Sequence, residues 1–212
     1  VILYDVKKEM FDIKLTTKKP LILASASPRR FELLSLLEVP FKVKTIEVDE
    51  SNILGATPGE KVCNTAMAKG LPIAEKYQDA IVISADTIVF LNEDPLYKPI
   101  DNKVATQYLK RLSGNIHTVY TGVSIFYSGK CHTFFEQTNV QFYPLTEEWI
   151  KCYVESGEGA DKAGGYGIQG AGGFFVEKIV GDYHNVVGLP IGKLFKELQS
   201  LGLLSFGDEV ES

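Results

Sequence analysis

The stretch LILASASPRR, residues 21–30, runs from an apolar segment straight into a basic turn. Leu21, Ile22 and Leu23 read as part of a buried strand over residues 20–26. Ser27 suits a helix N-cap and Pro28 the first helical position, so a helix is expected to follow at once. Phe31, Leu33, Leu34, Leu36 and Leu37 give that helix a broad apolar face. A buried strand feeding a helix is the unit from which α/β sheets are built. The junction has two readings. Arg29 and Arg30 form a solvated basic first turn, or they join Ser25, Ser27 and the helix N-terminus in an anion site.

The pattern continues outward. Residues 41–48 read as a second strand and residues 49–56 as a loop. Thr57, Pro58 and Glu60 carry a capping-box signature. The helix they open puts Val62, Ala66 and Lys69 on one stripe, and Pro72 is expected to kink or end it. Residues 80–84, AIVIS, read as a short central strand that ends at Asp86. Asp101 caps a helix with Ala105, Tyr108, Leu109 and Leu112 on its stripe, closed by Gly114. Two long strands, about 116–127 and 130–142, are joined by Ser128 and Gly129 as a hairpin. A helix from Thr146 to Gly157, a strand in FFVEKIV and a helix from near Pro190 follow. Residues 157–173 hold eight glycines, which suits either a linker or a loop shaped around a ligand. Asp161, Lys162, Tyr166, Ile168 and Gln169 make the stretch too varied for a plain linker and favour the loop. The alternation predicts an α/β fold with a mixed sheet flanked by helices.

Composition bounds the function. The 212 residues suffice for one large domain or two small lobes. A formal charge of −5 counts against nucleic acid as a partner, but not against a local basic pocket. Cys63, Cys131 and Cys152 are odd in number and far apart, which fits no metal pattern and suggests a reducing compartment. No apolar run approaches the roughly 18 residues a membrane span needs, so no membrane partner is expected. Residues 1–19 mix charged and apolar side chains unlike a signal peptide, and a cytoplasmic location is the expectation.

Several residues could carry chemistry. Lys69 interrupts a small, apolar stripe, and either snorkels from the helix edge or points its ammonium into a cleft. Asp86, in SADT at residues 84–87, lies at the end of a buried strand, where open α/β sheets place ligand groups. It can hold a divalent metal, take a proton from water, or simply cap a turn. Thr87 and Ser84 add polar groups beside it. Lys98, in YKP, is a loop cation, and Glu50, in VDES, is a second candidate carboxylate for a metal. His117 reads as a structural histidine on a strand, and His132 and His184 have no evident partners. Neither a Walker A loop nor a GxSxG elbow is present.

Taken in order, these segments resemble the Maf family, the septum-formation-inhibitor homologues that act as nucleotide pyrophosphatases. The likeness spans about residues 20–200. It rests on LILASASPRR, VDES, AMAK, ISADTIV, YKP, LSGNIHTVYTGV, DKAGGYGIQG and GDYHNVVGLPI. It implies a two-lobed α/β fold, a mixed β-sheet flanked by helices with a central cleft, of the Maf/inosine-triphosphatase-like kind. The domain would occupy residues 20–204, with residues 1–19 as an N-terminal extension and 205–212 as a C-terminal tail. The implied activity is hydrolysis of a nucleoside triphosphate to monophosphate and pyrophosphate, assisted by a divalent metal cation, Mg²⁺ or Mn²⁺. The resemblance implies that Asp86 is the catalytic proton acceptor. It assigns Arg29, Thr87 and Gln169 to the choice of dTTP and UTP. It also implies a homodimer. Asn64, Gly70 and Asn115 depart from the family pattern, where arginine, alanine and a basic residue are usual.

A mechanism fits both lines of reading. A triphosphate carries about four negative charges, so its site needs concentrated positive charge. Ser25, Arg29, Arg30, Lys69 and Lys98 are the expected phosphate-binding residues, with Asp86 and Glu50 as metal ligands. Gln169 can donate to a pyrimidine carbonyl and accept from its ring N–H. The alternatives are a hydrolase for modified or purine triphosphates, and a nucleotide-binding regulator of cell division with incidental hydrolysis.

Overall fold

The computed structural model describes residues 14–50 and 53–207. The first 13 residues of the expected extension, Ser51 and Asn52 of the expected loop, and residues 208–212 of the expected tail lie outside the described residues.

Apolar runs and caps set the elements. Strands β1 (Leu15–Thr17) and β2 (Leu21–Leu23) lead into α1 (Pro28–Ser35), whose N-cap Ser27 accepts from the Arg30 N–H. Strand β3 (Phe41–Val43) is followed by α2 (Pro58–Lys76), capped by Thr57. Strand β4 (Ile81–Leu91), β5 (Asp94–Leu96) and α3 (Asn102–Leu112), capped by Asp101, come next. The hairpin β6 (Ile116–Tyr127) and β7 (Lys130–Phe142) turns at Ser128 and Gly129, both at positive φ. Helix α4 (Glu147–Ser156) stops at the left-handed Gly157. The glycine-rich loop, β8 (Val176–Val180), α5 (Tyr183–Val187), α6 (Ile191–Ser200) and β9 (Leu204–Phe206) complete the order.

The main sheet runs β3-β2-β4-β6-β7-β8, with β5 added to the edge of β4. β2 is parallel to β3 and β4, whereas β4, β6, β7 and β8 pair antiparallel, so the sheet is mixed as the alternation implies. β1, within the expected N-terminal extension, and β9, which crosses the expected boundary after residue 204, form a separate two-stranded sheet.

Two expectations are corrected and one is narrowed. β4 does not end at Asp86 but runs 11 residues through it, because its polar side chains find partners within the fold. Of the two outcomes expected at Pro72, a kink or an end, the helix does not end there: α2 runs a further turn to Lys76, with Ile73 buried. The first and second strands are shorter than 20–26 and 41–48, the last backbone bonds of their pairing being made by Ala24 N–H to Ile83 O and Lys44 N–H to Leu23 O. The short helix α5 was not expected at all.

Alternation along β4 divides the core. Odd positions Ile81, Ile83 and Ala85 pack with Leu21, Leu23, Val123 and Ile125 against Leu33 and Leu34 of α1 and Leu194 and Leu198 of α6. Further along the same face, Val89, Leu91 and Val119 pack with Leu109 of α3, Ile150 of α4 and Phe142. Thr87 and its register partner Thr121 separate the two clusters. Two apolar clusters on one sheet face, parted by a threonine pair, give the two lobes. Even positions Val82, Ile88 and Phe90 pack on the opposite face with Ile73 and Val62 of α2. Each fully buried Leu or Ile contributes about 1.5–3 kcal/mol toward offsetting the entropy lost on ordering the chain.

Candidate active site

The outer edge of β4 creates the opening. β2 pairs with residues 81–83 and β5 with residues 89–91, while β6 pairs along the whole opposite edge. Among the described residues, no strand pairs with residues 84–88 on the outer side. Successive side chains on a strand point to opposite faces, but at an open edge both faces reach the same space. Asp86 and Thr87 thus line one cleft of ≈ 1190 Å³ between the lobes.

Asp86 reaches it from the α2 face. Its Oδ1 accepts from Lys69 Nζ at 2.7 Å, and the same ammonium lies 2.9 Å from Glu50 Oε1. Lys69 therefore turns inward rather than snorkelling to solvent. Two features let α2 lie so close. Gly122, opposite Asp86 in register, has no Cβ to meet the backbone of Val62 and Cys63. Gly70 faces the Phe126 ring and the Ser84 hydroxyl, where an alanine Cβ would collide.

Thr87 reaches the cleft from the α1 face. Its Oγ1 accepts from Arg30 Nη2 at 3.0 Å and shares a hydrogen bond with Thr121 Oγ1 at 2.9 Å. Arg30 also donates from Nε to the Gly188 carbonyl at 2.9 Å and from Nη1 to Ser25 Oγ at 3.4 Å. Desolvation draws the Arg30 pKa below the ordinary arginine value, against the opposing pull of Asp86. Arg29 points elsewhere, as residues 100° apart on a helix must, and its Nη1 lies 3.5 Å from Asp161 Oδ2 of the glycine-rich loop.

The opposite wall is that loop. Glu158 accepts from the N–H groups of Ala171 and Gly172, at 3.0 and 3.1 Å, and from the Tyr153 hydroxyl at 3.1 Å. Tyr153 in turn accepts from the Gly167 N–H at 2.9 Å. Burial pushes the Glu158 carboxyl up, but these hydrogen bonds outweigh it and its pKa lies below the usual carboxylate value. Lys162 donates to Asp161 Oδ1 at 2.7 Å and to the Glu158 carbonyl. Gly164 N–H donates to the Tyr97 carbonyl at 3.2 Å, tying the loop to the segment that carries Lys98.

All the site residues expected from the sequence, Ser25, Arg29, Arg30, Glu50, Lys69, Asp86, Thr87, Lys98 and Gln169, line this one cleft. Ser84 does not; it donates to the Ala66 carbonyl at 2.6 Å under α2. His117 is buried with Nε2 2.8 Å from the Tyr166 hydroxyl, and His132 pairs with Glu197 at 2.8 Å. Asn64 and Asn115 hydrogen-bond to backbone carbonyls of Leu54, and of Arg111 and Ser113, away from the cleft. Sequence reading missed Thr121 and Asn185. Thr121 donates to the Asn185 carbonyl, and Asn185 Nδ2 donates to Val119 O and Thr138 Oγ1, which fixes α5 beneath Thr87. A threonine between Val119 and Val123 on a core-facing strand position was the available signal.

A divalent cation is compatible with the donor set. Five cationic side chains and six carboxylates line the cleft among the described residues, so an anionic triphosphate needs further positive charge. Asp86 and Glu50 offer hard carboxylate oxygens on one ammonium. Two carboxylates completed by phosphate oxygens and water suit Mg²⁺ or Mn²⁺. Among the described residues there is no cluster of three or more His, Cys, Asp or Glu to form an all-protein cage.

Comparison with known proteins places the chain in a family. The model of the Maf-like protein family matches residues 20–201. The chain belongs to the Maf family. The dTTP/UTP pyrophosphatase of Bacillus cereus strain G9842 is 48% identical to this Maf chain over 185 residues, 87% of this chain and 97% of the relative. That of Bacillus cereus strain ATCC 10987 is 46% identical over 203 residues, 96% and 98% of the two chains. The Bacillus mycoides protein of the same name is 48% identical over 181 residues, 85% and 95%. The solved Staphylococcus aureus Ham1 protein aligns with 58% of this chain and 72% of its own, at 15% identity and a TM-score of 0.42.

Proposed function

We propose that this Maf chain is a pyrophosphatase that hydrolyses dTTP, UTP and related pyrimidine nucleotides to the monophosphate and pyrophosphate. The observation that carries the reading is Lys69 holding Asp86 and Glu50 at the open edge of β4, in one cleft with Arg29, Arg30 and Lys98. The names of the relatives, and the extent of their match, support the same chemistry.

In the mechanism, Asp86 turns Oδ1 to Lys69 and presents its second oxygen to a water. That water attacks the α-phosphorus in line with the bridging oxygen to the β-phosphorus. The water's proton passes to Asp86, the phosphoanhydride bond breaks, and its electron pair leaves on pyrophosphate. Lys69 keeps the carboxylate oriented, and Arg29, Arg30 and Lys98 stabilise charge on the phosphates. Asp86 and Glu50 would hold a divalent cation, which supplies positive charge to the phosphate oxygens when bound. Gln169 reads the pyrimidine edge, its amide donating to a ring carbonyl and accepting from the ring N–H. The proposal places the protein in the cytosol and as a homodimer.

Pyrophosphate release from a panel of pyrimidine and purine triphosphates, with Mg²⁺ or Mn²⁺, is the test. Asp86→Asn is expected to keep nucleotide binding within about threefold while turnover falls at least about a hundredfold. Nucleotide binding by the wild type without pyrophosphate release would favour the regulatory alternative.

A further inference from the structure

We propose that Glu158 is a positioning residue for base selection: its carboxylate fixes the shape of the glycine-rich loop that presents Gln169. The inference rests on the pyrimidine reading above and concerns how the selectivity is built.

Glu158 lies just beyond α4, at the hub of the loop. Oε1 accepts from Gly172 N–H and from the Tyr153 hydroxyl, and Oε2 from Ala171 N–H. Tyr153 extends the hub by accepting from Gly167 N–H. The backbone on both sides of Gln169 is therefore tied to one carboxylate, directly or through one hydroxyl. The glycines match this arrangement. A Cβ on Gly170 would meet Glu158 Cδ at 2.6 Å, and one on Gly172 would meet the Tyr153 hydroxyl at 2.9 Å. These glycines serve close packing on the hub rather than flexibility.

Charge supports the choice of residue. A carboxylate accepts several N–H and O–H donors at once, and hydrogen bonds to a charged acceptor are stronger than neutral ones. A glutamine at 158 would keep one acceptor oxygen but set an amide N–H against a backbone N–H. An alanine would leave the two N–H groups and the tyrosine hydroxyl without their partner. The loop would then sample other shapes, and Gln169 would lose its fixed place opposite the phosphate-binding arginines. The consequence falls on which base is accepted more than on the chemistry at Asp86.

The test compares kcat and KM for dTTP, UTP, dATP and dGTP in wild type, Glu158→Gln, Glu158→Ala and Tyr153→Phe. Glu158→Ala is expected to raise KM for the pyrimidine nucleotides about tenfold, with a smaller fall in kcat, and to cut the pyrimidine-over-purine ratio of kcat/KM by a similar factor. Glu158→Gln is expected to fall between, and Tyr153→Phe to shift the ratio in the same direction. If Glu158→Ala fails to fold, the other two variants decide the matter. A uniform loss of kcat on every nucleotide, with the ratio unchanged, would assign Glu158 to stability alone and overturn the proposal. A wild-type enzyme without pyrimidine preference would instead overturn the substrate reading on which it rests.

Discussion

His117 illustrates how a single buried residue links the fold to pH. It is 1% exposed, bonded through Nε2 to Tyr166, and burial lowers its pKa from 6.5 to about 3. The unfolded chain therefore takes up this proton near pH 6.5, and the folded chain only near about pH 3. Between those values the unfolded state binds more protons, so stability rises with pH. The neutral histidine contributes fully above pH 6.5, and the contribution falls as acid is added, at about 1.4 kcal/mol per pH unit. Glu158 and Asp161, whose pKa values are also lowered, add acid sensitivity at lower pH. Urea unfolding at pH 4 to 7 should show a steeper loss for wild type than for His117→Gln, by about one proton. Equal slopes would mean that the histidine is charged in the folded protein. The placement of His117 as a structural residue was legible, because a lone histidine on an apolar strand has few other roles; its bond to Tyr166, 49 positions away, was not.

At the scale of elements, the cap residues were the most readable. Ser27, Thr57, Asp101 and Thr146 each accept from the backbone N–H three residues on, as their positions before apolar stripes suggest. β4 was misjudged because Ser84, Asp86 and Thr87 look like a strand's polar end. Each is satisfied by a residue distant in sequence, Ala66, Lys69 or Thr121, and no local pattern reveals such partners. The seating of α2 on β6 leads to a prediction. Gly122 faces the backbone of Val62 and Cys63, with Cys63 N only 2.5 Å from where its Cβ would sit. Gly122→Ala must push α2 off the sheet, at a cost of about 1–3 kcal/mol. It should also part Lys69 from Asp86, so kcat/KM should fall along with the denaturant midpoint. Gly192→Ala is the control: its Cβ meets nothing within 4 Å, and helix propensity favours alanine by up to about 1 kcal/mol. If Gly122→Ala is as harmless as Gly192→Ala, the close approach of α2 does not set the site.

On the scale of the whole molecule, the cleft exists because the outer partners of β4 are interrupted between residue 83 and residue 89. Each lobe brings its own groups to the gap: Arg29 and Arg30 from α1, Lys98 and Gln169 from the loops around α3 and α4. A ligand that spans the gap should therefore tie more firmly together two apolar clusters that are joined by the sheet, by Ile168, which packs against both, and by contacts such as Arg29 to Asp161. An α,β-imido pyrimidine triphosphate with Mg²⁺, which resists cleavage at the scissile bond, is the suitable probe. At a hundred times its dissociation constant it should stabilise the folded state by about 2.7 kcal/mol, raising Tm by about 5–10 °C. If, as proposed, the cationic side chains of the cleft hold the phosphates, raising the salt should reduce that shift. Tm alone does not distinguish one lobe from two, so hydrogen exchange supplies the decisive reading. Amides near Ser25–Arg30 and those at 158–172 should both slow on binding. Protection confined to one of these segments would mean that the nucleotide sits in one lobe, and that the gap along β4 is not the binding site.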